Sequence, residues 1–486
     1  MNQVPPVLSI GVPRLTAGIE EYGRLDLMTH EEVHGPLAPL SASDLVRLTE
    51  AIALQGRGGA GFPFARKLRA VLESSAKQDK PTVVVVNATE GEPASWKDKV
   101  LLTRAPHLIL DGAALAAYAI DAEEIIIGVT DDDIGIGSLT AALGERRMPV
   151  PTSVVKVPHR FISGEGGALV NGINGDPHIP PGVKVRASDK GVNGLPTLLS
   201  NAETFAQIAI AARLGPYEYA SVGTADEPGT VLLTVSGAVA RPAVVECPTG
   251  TPLAEVMRLC KATIGPGLLT GGFHGRWMTP DAVARAEVSR KSLAALGGSL
   301  GAGIMVALGD DTCPLGEAAR VVRYLAGESA GQCGPCRMGL PDLARVVDLA
   351  AKGGATIEDV RAAAGAVKGR GACSHPDGTS RFAVSALEVF TEDLAAHTSG
   401  DGCGKRVKGV LPIPKVLDTG GGPRLQVDWT RCDGHGLCAH VLPELITLDS
   451  NGYPSFPSTP VPPWLKSSAR KAINMCPALA LRLVDS

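Results

Sequence analysis

The chain has 486 residues, enough for roughly three domains of ordinary size, and 44% of them are hydrophobic, which supplies sizeable cores. Charge is nearly balanced, 46 basic residues against 50 acidic for a net of −4, which excludes the basic excess of a nucleic-acid binder. Aromatics are scarce (4%) and glycine is abundant (58 residues), so cores of Ala, Val and Leu joined by glycine-rich loops are expected. No charged-then-apolar segment opens the sequence. The longest uncharged run, 292–309, is broken by Gly and Ser and reads as a buried loop and strand, not as a membrane span. Ten cysteines without an export signal point to a reducing, cytoplasmic setting in which metal binding is favoured over disulfides.

In chain order, residues 1–55 are mixed and end in an amphipathic helix lined by Leu45, Leu48, Ile52 and Ala53, with Ser43 or Asp44 as its cap. A glycine-rich loop follows at 56–61. The β-branched runs at 82–86 and 124–129 read as buried strands, with a helix at 108–120 between them, and this alternation predicts an α/β layer. After residue 215 the texture changes to short strands and turns around 230–239, a small β-rich domain. Helices are expected again over 315–398, at 317–325, 340–351 and 357–367. The Gly-, Lys- and Pro-rich stretch 400–422 reads as a linker. Residues 424–486 alternate strand (425–429), loop, helix (465–475) and strand (479–484).

The C-terminal region carries the sharpest chemical signal. Cys432-Asp-Gly-His435-Gly-Leu-Cys438 and the distant Cys476-Pro477 have the cysteine pattern of a small bacterial ferredoxin with His435 in place of the middle cysteine. Thiolates so spaced wrap a loop around an iron–sulfur cluster, which a distant Cys-Pro closes. Gly56-Arg-Gly-Gly-Ala-Gly61 matches G-x-G-x-x-G, but a helix precedes it where a dinucleotide fold needs a strand. Its glycines suit close approach of a phosphate or a flat ring, or a tight structural turn. Asn87-Ala-Thr-Glu90-Gly-Glu92 directly follows a buried strand, where α/β folds place ligands. Ser163-Gly-Glu165 and Ser200-Asn201-Ala-Glu203-Thr204 are of the same kind.

Glu328-Ser-Ala330-Gly-Gln-Cys333-Gly-Pro-Cys336-Arg337 contains the thioredoxin sequence Cys-Gly-Pro-Cys without the preceding strand. The alternative makes Cys333 and Cys336 cluster ligands with Cys373 as a third, and buried thiols remain the plain reading. His30-Glu31-Glu-Val-His34 matches the zinc-protease string and Gly327-Glu-Ser329-Ala-Gly331 a nucleophile elbow. Gly35-Pro36 ends the first helix at once, and a helix precedes the second where an elbow needs a strand. Cys247, Cys260, Cys313 and Cys403 have no partner at ligand spacing and read as ordinary core or loop residues.

Taken in order, the motifs from Gly56 to Phe390 resemble the flavin-bearing, NADH-oxidising subunit of respiratory complex I and its relatives in NAD-linked hydrogenases and formate dehydrogenases, here fused to a monocluster ferredoxin. The resemblance implies a multidomain α/β and α+β chain. Its parts would be an N-terminal helical region (1–55), an FMN-binding α/β domain (56–225) and a soluble-ligand-binding β-grasp domain (226–300). A helical iron–sulfur bundle (301–399), a linker (400–423) and a ferredoxin-like domain (424–486) would follow. It assigns Gly58, Gly59 and Gly61 to the flavin and its phosphate, and Asn87, Glu90, Asn201 and Thr204 to the flavin's polar edge and ribityl chain. Phe62, Lys67 and Glu92 would serve the nicotinamide nucleotide, with Glu92 and Glu165 as the carboxylates nearest the chemistry. Cys333, Cys336 and Cys373 would hold a bundle cluster, and Cys432, His435, Cys438 and Cys476 the ferredoxin cluster.

The departures from that pattern are specific. Thr89 replaces an acidic ribityl acceptor and Gly166 a carboxylate near the nicotinamide. Leu68, Arg69 and Ala70 stand where an aromatic is expected, Ile179–Val183 replaces a Lys-containing stretch, and Ala330 replaces the first cluster cysteine. Both cluster sites therefore carry three cysteines, and the C-terminal cluster is expected to be 3Fe–4S or a 4Fe–4S cluster completed by His435. A flavin followed by clusters splits a two-electron hydride into single electrons. The leading reading is an FMN- and iron–sulfur-dependent NAD(P)H dehydrogenase passing electrons to a redox partner, either a ferredoxin-linked acceptor or a membrane haem protein, with a small 2Fe–2S partner subunit as the family has. An electron relay that does not oxidise NAD(P)H and a non-catalytic scaffold are the alternatives.

Overall fold

The computed structural model describes residues 4–130, 133–400, 402–414, 423–449, 451–455, 461 and 465–484. Two compact units result, 1–413 and 414–486.

In the first unit the strands Thr82–Ala88 and Ala122–Thr130 join Thr152–Val157 and Thr197–Asn201 in an all-parallel sheet, with Thr82–Ala88 between Ala122–Thr130 and Thr197–Asn201. Parallel strands need crossovers, and crossover helices cover both faces of such a sheet, so its strands are apolar on both sides. Val84, Val86, Ile125 and Ile127 pack on one face against the helices Pro106–Ala119 and Ala202–Tyr219. Val83, Val85 and Ile126 pack on the other against Leu169 and Val192. Gly112 lets those two helices touch, since a Cβ there would lie 1.9 Å from the Phe205 carbonyl oxygen. All four strands run the same way, so Asn87 and Asn201 emerge together at the carboxyl edge.

A second, six-stranded mixed sheet has the order Val7–Ser9, Ala243–Pro248, Thr230–Gly237, Ile304–Leu308, Gly267–Thr270, Arg276–Met278. It overruns the expected 226–300 domain at both ends. The first strand comes from the region expected to be helical, and Ile304–Leu308, from beyond residue 300, pairs parallel with Thr230–Gly237 near the sheet's centre. Parallel pairing requires a long crossover, so no run of adjacent sequence could mark this sheet's limits.

The helices Pro314–Gly327, Leu340–Ala350, Ile357–Val367, His375–Val389 and Thr391–Thr398 form the bundle, packed around Val322, Leu343, Val347 and Phe382. The expected linker is not free over its first part. Buried Glu317 accepts N–H bonds from Gly409 (2.6 Å), Val410 (3.0 Å) and Leu411 (3.4 Å), and Leu411 is fully buried. A buried carboxylate must be satisfied, and here the polar backbone of a glycine- and lysine-rich stretch does it. The rest of that stretch, 415–422, lies outside the described residues.

The second unit is small. The strand Arg424–Val427 pairs antiparallel with Leu481–Val484, the helix Lys466–Asn474 lies between them in sequence, and Leu442, Ile446, Ala469 and Ala472 are buried. No single described helix is long and apolar enough to cross a membrane.

Candidate functional site

The glycine loop connects two helices, Ala42–Ala51 and Phe64–Gln78, so it is not the strand-to-helix turn of a dinucleotide fold. The cap of the first helix is Ser41, whose hydroxyl accepts the Asp44 N–H, and neither Ser43 nor Asp44 serves. Contacts from distant parts of the chain hold the loop. Arg290 donates to the Gly59 carbonyl (3.0 Å) and to the Gly56 carbonyl (3.1 Å), and the Arg57 N–H donates to the buried Thr204 hydroxyl (2.9 Å). Gly59 and Gly61 have φ of 112° and 64°, and a Cβ on Gly61 would sit 2.8 Å from the Arg290 guanidinium. Among the described residues no protein acceptor takes the N–H groups of Gly58, Gly59 and Gly61. A rigid glycine loop with free amides fits a flavin or its phosphate.

At the sheet's carboxyl edge Asn87 donates to the Gly164 carbonyl (2.9 Å) and accepts from the Thr89 hydroxyl (2.6 Å). Glu90 is buried and faces the first turn of the helix Lys97–Arg104. It accepts from the Asp98 N–H (3.0 Å), the Lys99 N–H (3.0 Å) and the Ser95 hydroxyl (2.5 Å). Burial, then the Asp98 charge, raises its pKa. Asn201 accepts from the Lys97 ammonium (3.1 Å) and donates to Asp98 (2.7 Å). Lys97 is itself buried between Asp98 (2.8 Å) and Glu203 (3.1 Å). Burial alone would lower its pKa, and the two carboxylates reverse that and raise it. Asn87, Glu90 and Asn201 thus belong to one internal network, and Asn201 lies against the glycine loop, 3.2 Å from where a Gly58 Cβ would be; Thr204 holds the loop separately, through the Arg57 N–H. Lys97 and Asp98, members of that network, and Arg290, which holds the loop, were missed by sequence reading. The charged triplet after Trp96 was the available signal for the first two, and nothing local marks Arg290.

A cavity of about 800 Å³ opens beside the loop. Phe62, Lys67 and Glu165 line it together, with Gly166, Gly167 and Leu199. The Lys67 ammonium donates to the Leu199 carbonyl (2.6 Å), and burial lowers its pKa to about 8. Glu165 caps the helix Gly166–Ile173 by accepting from the Ala168 N–H (3.0 Å), and burial raises its pKa. Glu92 does not share this wall. Its carboxylate accepts from the Phe273 N–H (3.3 and 3.2 Å), and burial together with the nearby Glu90 charge pushes it up to about 8.

Cys333 lies just before a single π-type turn, Pro335–Gly339, that carries Cys336, a distortion common at functional sites. Burial, and then the neighbouring Cys333, pushes Cys336 up to about 11, and burial raises Cys373. Burial would raise Cys333 as well, but N–H groups of Ala372 and Cys336 pointing at its sulfur bring it down. Cys336 and Cys373 likewise receive N–H groups, from Gly331 and His375. Three sulfurs that sense one another's charge and are each held by backbone amides fit an iron–sulfur site. No strand precedes them, which disposes of the thioredoxin reading.

In the second unit Cys432, His435, Cys438 and Cys476 line one small cavity, so the structure brings the four together. Gly434 and Gly436 have φ of 69° and 72°, which lets the loop fold around it. Cys476 accepts the Ala480 N–H (3.4 Å), and burial, then the charges of Cys476 and Cys432, raises Cys438.

One expectation is overturned. Cys313 and Cys403 are not isolated: their sulfurs and a His397 ring nitrogen lie within 4.8 Å of one another, close enough to hold a single metal ion. Cys313 Sγ is 3.5 Å from His397 Nε2 and accepts the Gly316 N–H at 3.3 Å. Among the described residues no other such trio occurs. These residues come from a helix cap, a later helix and the docked linker, so no motif spacing links them. The zinc-protease string does form a helix, Leu27–His34, but the His30 ring bonds Asp111 at 2.7 Å and Gly35 ends the helix.

Comparison with known proteins gives three family models along the chain. The Nuo51 FMN-binding domain matches residues 49–210, the NADH-ubiquinone oxidoreductase-F iron-sulfur binding region 316–397, and a 4Fe-4S single cluster domain 425–483. The second F-type subunit of the NADH-quinone oxidoreductase of Rhizobium meliloti (strain 1021) is 28% identical over 76% of this chain and 91% of its own length. The NADP-reducing hydrogenase subunit HndC of Solidesulfovibrio fructosivorans is 26% identical over 83% of this chain and 84% of its own. Among solved structures, an NAD+-reducing NiFe-hydrogenase in the H2-reduced state superposes with a TM-score of 0.69 at 26% identity, covering 82% of this chain and 67% of that one.

Proposed function

We propose that this chain, an NADH dehydrogenase-like electron-transfer protein with FMN and iron–sulfur cofactors that is homologous to the F-type subunits of NADH-quinone oxidoreductase, oxidises NAD(P)H and delivers the electrons singly to a redox partner. The single observation that carries the reading is the cavity of about 800 Å³ in which Phe62, Lys67 and Glu165 meet beside the glycine loop. It is large enough for a nucleotide, and Phe62, the residue after Gly61, ties it to the glycine loop. When bound, FMN exchanges two electrons with a nicotinamide and one at a time with clusters. The protein's own part is to hold and orient. Arg290 and Thr204 hold the loop in place, and the Lys97 network fixes Asn201 against it and Asn201 in turn bonds Asn87. Glu92, whose carboxyl titrates near 8, is able to hold or release a proton at its carboxylate in the physiological range.

Cys333, Cys336 and Cys373 would hold the bundle cluster. Cys432, Cys438 and Cys476 would hold the C-terminal one, as 3Fe–4S or as 4Fe–4S with His435 on the fourth iron. Relatives of this chain are subunits of larger assemblies, so redox partner subunits are part of the picture. The finer assignment, a ferredoxin-linked acceptor or membrane haem protein together with a small 2Fe–2S subunit in the cytoplasm, rests on resemblance and on the cysteine usage.

Anaerobic titration of the purified protein with NADH and NADPH tests the reading. Bleaching of the flavin band by either one is expected. Reduction by dithionite but by neither nucleotide would contradict it and leave the relay, and a colourless, iron-free protein would leave the scaffold.

A further inference from the structure

We propose that the cavity beside the glycine loop selects a dinucleotide bearing a 2′-phosphate, so that NADPH is the preferred donor over NADH; this rests on the reading of the cavity as the nicotinamide-nucleotide site. Four cationic side chains, Arg66, Lys67, Arg186 and Lys190, line the cavity, against Glu165 as the lone carboxylate in its wall. Glu165 is already engaged in capping a helix. Among the described residues Arg66, Arg186 and Lys190 make no ion pair or hydrogen bond through their side chains. Surface cations facing water are common, but three of them converging on one cavity without protein partners leave positive charge for a ligand to neutralise.

The pyrophosphate of NADH brings two negative charges. A 2′-phosphate adds roughly −1.5 to −2 more, as other phosphomonoesters do near neutral pH, and draws on the positive charge that the pyrophosphate leaves unmatched. The wall has a single aromatic ring, Phe62, and the Arg66 guanidinium lies 5.5 Å from its centroid. A guanidinium is able to stack on an adenine and to present its N–H fork to a phosphate. Ser188, on the segment between Arg186 and Lys190, adds a hydroxyl to the same wall.

The test uses the anaerobic, flavin-loaded full chain. Calorimetric titration with 2′,5′-ADP and with 5′-AMP measures the phosphate preference directly, and flavin bleaching by NADPH and NADH measures the donor preference. The expected result is at least tenfold tighter binding of 2′,5′-ADP, lost in the Arg186→Ala/Lys190→Ala double variant, with flavin content unchanged. Equal binding of the two nucleotides, or a preference that survives the double variant, would overturn the proposal. So would loss of flavin in that variant, which would assign these cations to the FMN phosphate. Bleaching by NADH without any 2′-phosphate preference would sink this inference and leave the dehydrogenase reading intact. Tight binding of 2′,5′-ADP with no bleaching by either dinucleotide would keep the phosphate site and sink the dehydrogenase reading.

Discussion

In the bundle, Cys333, Cys336 and Cys373 are accompanied by Ala330, which has no donor atom; in the C-terminal unit, Cys432, Cys438 and Cys476 share their cavity with His435, which has one. Both sites have three thiols, yet their physical consequences differ. An imidazole is a neutral ligand that can complete a cluster while removing one negative charge, and such replacement raises reduction potential. An alanine leaves an iron position to water or empties it. The two triplets also sit in different surroundings. Cys336 belongs to a large helical core with Val322 and Phe382, while among the described residues the C-terminal cysteines pack against a small core of eight buried side chains. A core that small is marginal without a staple, so the C-terminal unit should depend on its cluster for folding as the bundle does not.

The largest effect that would break this comparison is folding. Cys476→Ala is expected to lose about three to four irons per chain and to unfold the C-terminal unit, read as proteolysis confined to residues beyond 414. Cys373→Ala should lose iron while leaving the bundle protease-resistant, and equal sensitivity of the two variants would erase the contrast. Next is Ala330→Cys, which supplies the missing thiol. A gain in bundle iron and a 4Fe–4S EPR signal absent from the parent are expected, and an unchanged signal would show that position 330 does not face the cluster. Third, His435→Cys should lower the midpoint potential of the C-terminal cluster by on the order of 100 mV in an EPR-monitored redox titration. No shift there, with the same potential in His435→Ala, would remove His435 from the ligand set.

The smallest effect is a pH dependence at the flavin end. Glu92 is raised from 4.5 to about 8 by burial, so the folded protein binds more protons than the unfolded chain between those values. Its contribution to stability is complete below about 4.5 and is lost as pH rises through 8. Glu92→Gln should therefore flatten the decline in unfolding free energy between pH 5 and 9, measured by denaturant titration. Parallel curves for parent and variant would show that the carboxyl is not shifted.

How much of this was legible in the sequence depended on whether the contacts are local. The two central strands of the parallel sheet announced themselves as β-branched runs, because burial on both faces leaves no polar alternation to read. The helix Ile357–Val367 lies at its expected bounds, fixed by the Thr356 and Asp359 capping box. The gathering of Cys432, His435 and Cys438 around one cavity was legible as well, since they lie within a short stretch of chain. What escaped was non-local. The edge strand Val7–Ser9 has no periodicity of its own and is made by pairing with Ala243–Pro248. Arg290 reaches the glycine loop from 231 residues away. Cys313, His397 and Cys403 meet through tertiary packing of the bundle with the docked linker. Resemblance named Glu90, but its carboxylate is turned to a helix N-terminus, and no sequence pattern records that direction.

The central claim is that one chain joins a flavin to cysteine-held clusters. Parallel determination of flavin, iron and acid-labile sulfide on anaerobically purified full-length protein tests it most directly. The account predicts one FMN per chain, with iron and sulfide in the amounts of at least one cluster and a cluster fraction that disappears in Cys476→Ala. A chain that carries neither yellow chromophore nor labile sulfide would contradict it.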